Sequence, residues 1–223
     1  MREGTVAGGA SFDVEGEELV LWEPGGRALT RQRQHLLLTR VLLAEPKPPL
    51  LALPVSAPSP AEALARAANV TVKWVRNEWR AIAEAAWQPP LGGRQVQMLG
   101  DALYTFVALA GYLAAQNLTF PQALAALPET WQQARDVPCS WAAKGKVLRQ
   151  LAEEEESRRV ETVDGLKVYR EEGWALVLPD ADEPFYQVYS EALSPALTES
   201  LCREYVERIG RLAQGSLPAD RAE

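Results

Sequence analysis

The sequence predicts two units in series, an α/β three-layer (αβα) domain followed by a small α+β domain with an antiparallel sheet. Three observations carry this. Apolar runs of strand character alternate with helical periodicity from about residue 18 to residue 90, the pattern of helices packed on a largely parallel sheet. The spacing then turns helical to about residue 156. From residue 160 onward, short strand-like runs follow one another through turn dipeptides and end in one amphipathic stretch. The units are therefore expected at 1–157, with an irregular Gly-rich leader over 1–12, and at 158–223.

Each element has a local reason. Glu18–Trp22 is the first strand, closed by the turn Pro24-Gly25-Gly26, and Arg31–Leu43 has helical spacing. Leu50–Val55 is the second strand. Ser59, Pro60 and Glu62 form a capping-box pattern that opens a helix running to about Ala68. Val70–Val75 is the third strand and Trp79–Trp87 the next helix. The break Pro89–Gly93 reads as a loop, after which Leu103, Phe106, Val107, Ala110, Leu113 and Ala114 share one helical face. Thr119 and Gln122 offer a second capping box for a short helix ending before Pro128. An extended run over 130–137 follows, then a helix through Trp141–Glu156 capped by Ser140. The meander comprises Val160–Val163, Leu166–Arg170, Trp174–Leu178 and Phe185–Leu193, with Asp164-Gly165 and Glu172-Gly173 as turns. Ser194-Pro195 caps the last helix, whose Leu197, Leu201, Tyr205, Ile209 and Leu212 form its apolar stripe, and the residues from Gly215 on are expected to fray.

Composition limits the function classes. The chain has 223 residues, 47% hydrophobic and 24% charged, with a net charge of −7. There is no basic stripe to follow a nucleic-acid backbone and no polybasic patch for anionic lipid, so neither is an expected partner. The most apolar stretch, Ala102–Ala115, is too short to span a bilayer, and the N-terminus lacks the apolar run of a secretory signal, which points to the cytoplasm. Cys139 and Cys202 read as free thiols and His35 as a surface or helix-packing residue with no neighbouring nucleophile. The run Glu153–Glu156 reads as a solvated helix end, and Trp74, Trp79 and Trp87 read as packing residues rather than a platform for a sugar ring.

The segment Leu178-Pro-Asp-Ala-Asp-Glu-Pro-Phe185, set between two strands, resembles the phosphate loop in the last domain of the α-D-phosphohexomutases, which interconvert sugar 1- and 6-phosphates. The family's loop reads Arg-x-Ser-Gly/Asn-Thr-Glu-Pro. Its Arg falls on Leu178, its Ser on Asp180, its small residue on Ala181 and its Thr on Asp182, while Glu183 and Pro184 match. Asp136–Val147 is similar to the family's inter-domain segment and Asp101–Thr105 to the helix after its sugar-reading loop. The layout is similar to the third and fourth domains of that family from about Asp13 onward.

The resemblance implies sites that have lost their chemistry. A carboxylate about 4 Å from a phosphate oxygen is repelled by roughly 4 kcal/mol at an effective dielectric near 20, and Leu178 supplies none of the hydrogen bonds an Arg would. The sugar loop, Gly-Glu-x-Ser-Gly-His in the family, falls at Gly92, Gly93, Arg94 and Gln95 without its Glu, Ser or His. The metal loop, Asp-x-Asp-x-Asp-Arg, is nearest to Asp13–Glu18, which has acids but no Arg, and no metal site is expected there. No residue stands in for the phosphoserine, so no catalytic residue is assigned and no mutase turnover is expected from this chain alone.

The implied function is a non-catalytic module of a sugar-nucleotide pathway protein of the mannose-1-phosphate guanylyltransferase type, with an assembly or regulatory role. Its partners would be upstream domains of a longer chain, among them a nucleotidyltransferase, with a homo-oligomer left open and no cofactor. Two alternatives stand beside it. One is half of an active phosphoglucomutase/phosphomannomutase, which would need Mg²⁺. The other is an unrelated α/β protein-interaction module.

Overall fold

The computed structural model describes residues 7–44, 46–87 and 93–214. The chain divides into two compact units, Met1–Glu129 and Thr130–Glu223. Residues 130–157, expected to close the first unit, lie in the second. The physical reason is strand pairing: Trp131–Pro138 pairs along its whole length with a strand near the C-terminus.

In unit 1, β1 (Gly9–Phe12) and β2 (Leu19–Trp22) form an antiparallel ribbon in the register Gly9↔Trp22 to Phe12↔Leu19. Residues 9–12 are thus a strand rather than part of an irregular leader, formed because β2 offers a partner edge. There follow α1 (Arg31–Leu42), β3 (Leu50–Pro54), α2 (Pro60–Ala67), β4 (Thr71–Val75), α3 (Trp79–Ala86), α4 (Gly93–Gly100), α5 (Ala102–Ala115) and α6 (Phe120–Ala125). β3 and β4 pair in parallel, Leu50↔Thr71 to Pro54↔Val75, as a strand–helix–strand crossover requires. Leu51 and Leu53 face a core with Leu36, Leu37 and Val41 of α1, whereas Ala52 and Val75 face Ile82, Ala85 and Ala86 of α3. Helices therefore cover both faces of this parallel sheet, the expected layering.

The parallel sheet holds two strands among the described residues, and β2 is not one of them. At β3 the reason is Gln95 of α4, a helix the Gly92-Gly93 pair had concealed. Its Oε1 accepts from the Ala52 N–H at 3.1 Å, and its Nε2 donates to the Ala52 carbonyl at 2.6 Å. One side-chain amide thus satisfies the backbone groups that a further strand would otherwise take. Gln34 of α1 treats β2 alike, accepting from Leu21 N–H at 3.1 Å and donating to the Leu19 carbonyl at 2.6 Å. Gln95→Leu leaves two buried backbone groups of Ala52 unpaired and is expected to lower stability by about 2 kcal/mol or more, read from urea unfolding.

The Thr119–Gln122 capping box forms at α6, whereas Ser59 makes no side-chain cap. Arg33 and Arg40 of α1 donate to the Leu124 and Ala126 carbonyls at the end of α6, the place where a cation best meets a helix terminus. Among the described residues no single helix is long and apolar enough to cross a membrane; α4 and α5 pass together only as a pair bent by 119°.

Unit 2 contains β5 (Trp131–Pro138), α7 (Trp141–Glu154), β6 (Val160–Glu161), β7 (Leu166–Arg170), β8 (Gly173–Pro179), β9 (Phe185–Ala192) and α8 (Pro195–Gln214). Its sheet is antiparallel throughout, in the order β5-β9-β8-β7-β6. The meander is as the turn dipeptides indicate, with β5 added at its free edge. Val147 and Leu151 of α7 and Cys202, Tyr205 and Ile209 of α8 pack on Val168, Ala175, Val177, Tyr186 and Val188, so both helices cover one face.

One charged residue departs from expectation. Glu155, read as part of a solvated acidic end, is only 1% exposed and is held by Arg158, Arg170, Arg208 and the Tyr205 hydroxyl. Cys139 and Cys202 are buried free thiols, both pushed upward in pKa by burial.

Candidate functional site

The loop 180–184 closes the β8–β9 hairpin, whose last pairs are Leu178↔Gln187 and Pro179↔Tyr186. Leu178 lies within the ladder and is buried. Asp180 is half-buried and turns inward on its own loop: its Oδ1 accepts from the N–H of Asp182 at 2.9 Å and of Glu183 at 2.8 Å. These two backbone donors, which in a phosphate loop face the anion, are occupied by the chain's own carboxylate. Ala181, Asp182, Glu183 and Pro184 are exposed, so the loop presents acids to solvent.

What fixes the loop comes from α7. Lys144, 8% exposed, donates its Nζ to the carbonyl oxygens of Asp180 at 2.6 Å and of Glu183, and sits 4.0 Å above the centre of the Trp141 ring. The Cys139 N–H donates to the Pro184 carbonyl at 2.8 Å, and the Tyr186 hydroxyl donates to the Lys144 carbonyl, its own pKa pushed up by burial. The cation that a phosphate site would turn toward its ligand is here spent on the loop's backbone. Lys144 received no role in the sequence reading. The signal was its place on the buried stripe Ala143, Lys144, Val147, Leu151, where a charged side chain needs a partner.

The residues matched to the sugar loop lie in unit 1, apart in the fold's division from 178–184. Gly92 falls outside the described residues. Gly93, Arg94 and Gln95 are the first turn of α4 rather than a loop, and both polar side chains are directed at the protein. Gln95 clasps Ala52, and Arg94 donates to the Ala44 carbonyl at 3.4 Å. At the ribbon turn, Asp13, Glu15 and Glu17 do alternate as a metal loop's acids would. Yet Asp13 Oδ1 accepts from the N–H of Glu17 at 2.8 Å and of Glu18 at 3.0 Å, and no group of three metal-ligating side chains is found among the described residues. Both this turn and the hairpin loop are closed by their first Asp.

Trp74 packs partly against the core as expected, whereas Trp79 and Trp87 are 70% and 62% exposed and do not. His35 lines a cavity of about 160 Å³ with Thr39, Ala52, Ile82, Gln95 and Met98. Burial pushes its imidazole down to about 4. The unfolded chain therefore takes up a proton near pH 6.5 that the folded chain refuses until about pH 4. Stability is expected to fall as pH drops through that window, by at most roughly 3 kcal/mol since the ring is only half-buried. His35→Leu should flatten the pH dependence of the urea midpoint between those limits.

No family model matches the chain. Among curated proteins it is 26% identical over 121 residues to a probable phosphoglucosamine mutase of Methanopyrus kandleri, covering 53% of this chain and 27% of that protein. Among solved structures it is similar to a phosphoglucomutase/phosphomannomutase family protein of Burkholderia thailandensis, with a TM-score of 0.74 and 19% identity over 94% of this chain and 47% of that one. It is also similar to Aspergillus fumigatus N-acetylphosphoglucosamine mutase, solved with GlcNAc-6P and magnesium, with a TM-score of 0.67 and 13% identity over 96% of this chain and 50% of that one. The fold is that of a phosphohexomutase, shared over nearly the whole chain and not over the C-terminal meander alone. The chain spans about a quarter of the curated relative and about half of the solved structures.

Proposed function

We propose that this chain is a non-catalytic phosphohexomutase-like module that serves assembly or regulation in a cytoplasmic sugar-nucleotide pathway protein, alongside a nucleotidyltransferase of the mannose-1-phosphate guanylyltransferase type. The single observation that supports it most is the hairpin loop: Asp180 takes the two backbone donors, Lys144 is turned onto carbonyls, and Asp182 and Glu183 face outward. A sugar phosphate brought to this loop would meet carboxylates where it needs donors, at a cost of roughly 4 kcal/mol for each contact near 4 Å. The sugar-loop residues are equally committed, since Gln95 cannot leave Ala52 without stranding buried backbone groups.

Calorimetric titration with glucose 6-phosphate and with N-acetylglucosamine 6-phosphate, with and without Mg²⁺, tests the reading. No binding is expected up to millimolar ligand. Dissociation constants in the micromolar range would instead favour the second reading, in which the chain is half of a mutase completed by another polypeptide. The alternating Asp13, Glu15 and Glu17, and the description of the curated relative as a probable phosphoglucosamine mutase, favour that second reading over an unrelated interaction module.

A further inference from the structure

Helix α5 has no charged residue along its 14 positions, yet much of it faces solvent. Leu103 is 62%, Val107 60% and Phe106 39% exposed, and Ala110, Gly111 and Ala114 continue the same exposed face. Phe12 of β1, 44% exposed, meets Phe106 edge to face at 6.0 Å between ring centres and widens the patch. A surface helix ordinarily turns a polar side to water, so an apolar outer face calls for a cover. The helix is also a ridge between two depressions. On one side lies a groove of about 410 Å³ walled by Phe12, Leu21, Phe106, Ala110, Leu113 and Phe120, with no polar side chain among its lining residues. On the other lies one of about 700 Å³ lined by Tyr104, Val107, Gly111 and Ala115 together with the polar Arg94 and Gln97.

We infer that α5 is a dimerisation ridge, covered by the same face of a second copy of this chain. A ridge flanked by grooves is self-complementary: a two-fold axis near Val107 seats the ridge of each copy in a groove of the other, the usual way helices pack. The size fits. The helix is about 21 Å long, and with its grooves it presents roughly 600–800 Å² per copy, near the lower bound of stable interfaces. Charge does not oppose it, because unit 1 carries 11 Lys and Arg against 12 Asp and Glu, so most of the chain's net −7 lies in unit 2. The inference is independent of whether the loops bind sugar phosphates.

Sedimentation velocity on the full chain from about 1 to 100 μM decides it. A dimer is expected, weakened at least about 100-fold by Val107→Glu, which places a carboxylate in the middle of the apolar contact. The variant's thermal midpoint should equal that of the wild-type chain diluted until it is monomeric, because Val107 is exposed in the monomer and only the dimer adds stability. A wild-type chain that stays monomeric at 100 μM, or a dimer indifferent to Val107→Glu, overturns the inference. Should Val107→Glu fail to fold, Gly111→Cys gives the answer, since a side chain there meets nothing within 4 Å. Rapid intermolecular disulfide formation supports the ridge contact, and its absence under oxidising conditions overturns it. If the chain sediments as a monomer but α5 is protected by a different protein in the native source, the second-copy assignment is wrong.

Discussion

Glu155→Ala is expected to cost unit 2 about 3–5 kcal/mol and to lower its thermal midpoint by more than about 10 °C. The carboxylate stands at the end of α7 and is reached from three other places in the fold. Its Oε1 accepts from Arg208 Nη1, from the Tyr205 hydroxyl at 3.0 Å and from Arg170 Nη2 at 3.3 Å, while Oε2 accepts from Arg158 at 2.9 Å. Arg170 and Arg208 are only 17% and 11% exposed, and Arg170 Nε has no partner even in the intact network. Removing Glu155 would leave two poorly solvated guanidinium groups without their one buried carboxylate, compensated only by the half-exposed Glu204 on Arg170 and Glu154 on Arg208, each at 2.6 Å. Burial and the Glu155 carboxylate together push the Tyr205 hydroxyl upward in pKa, so that hydroxyl stays protonated and keeps donating. The loss is expected to be non-additive with loss of its partners: Glu155→Leu combined with Arg170→Leu and Arg208→Met should recover part of the stability, because paired removal of buried charges is milder than removal of one partner. A Glu155→Ala midpoint within 2 °C of wild type in a thermal melt would show that water, rather than these arginines, solvates the carboxylate.

Gly173→Ala is the second large effect, expected to cost at least about 3 kcal/mol or to abolish soluble expression. Gly173 opens β8 opposite Ala192, and a Cβ there would lie 2.0 Å from the Glu191 carbonyl oxygen and 2.9 Å from Ala192 Cα. Both neighbours are backbone at the end of β9, which is paired on both sides, with β8 and with β5, so neither can swing aside. Gly165 is constrained in a different way, with φ +66° and its virtual Cβ 2.2 Å from the Val177 carbonyl oxygen. Gly145, in mid-α7 with open space around it, is the control: Gly145→Ala should stabilise by about 0.5–1 kcal/mol. Urea unfolding of the three proteins side by side reads both signs.

These residues show what the sequence could reveal. Asp164-Gly165 and Glu172-Gly173 announced the meander because turn chemistry is local, and the stripe from Leu197 through Leu201, Tyr205 and Ile209 to Leu212 announced α8 because its periodicity spans about four turns. The first unit's parallel pair and helical layers were legible for the same reason. What escaped depends on residues far apart in sequence. Gln95 reads as a loop polar residue until Ala52, 43 positions away, is seen to need it. Glu155 sits in a run of four acids and differs from its neighbours only because Arg170 and Arg208 reach it from 15 and 53 positions away. β1 lacked β-branched residues and became a strand only because β2 lies beside it. At the hairpin loop, the unfavourable charges were visible in the sequence, whereas the inward turn of Asp180 and the hold of Lys144 required the coordinates.

The clasp of Gln95 on Ala52 has a consequence for behaviour in crowded solution. An open strand margin is a template on which a stray chain can add itself and begin a fibril. At the middle of β3 that template is blocked by an amide that satisfies the row but offers no onward register, so growth from this margin would first have to dislodge a buried glutamine.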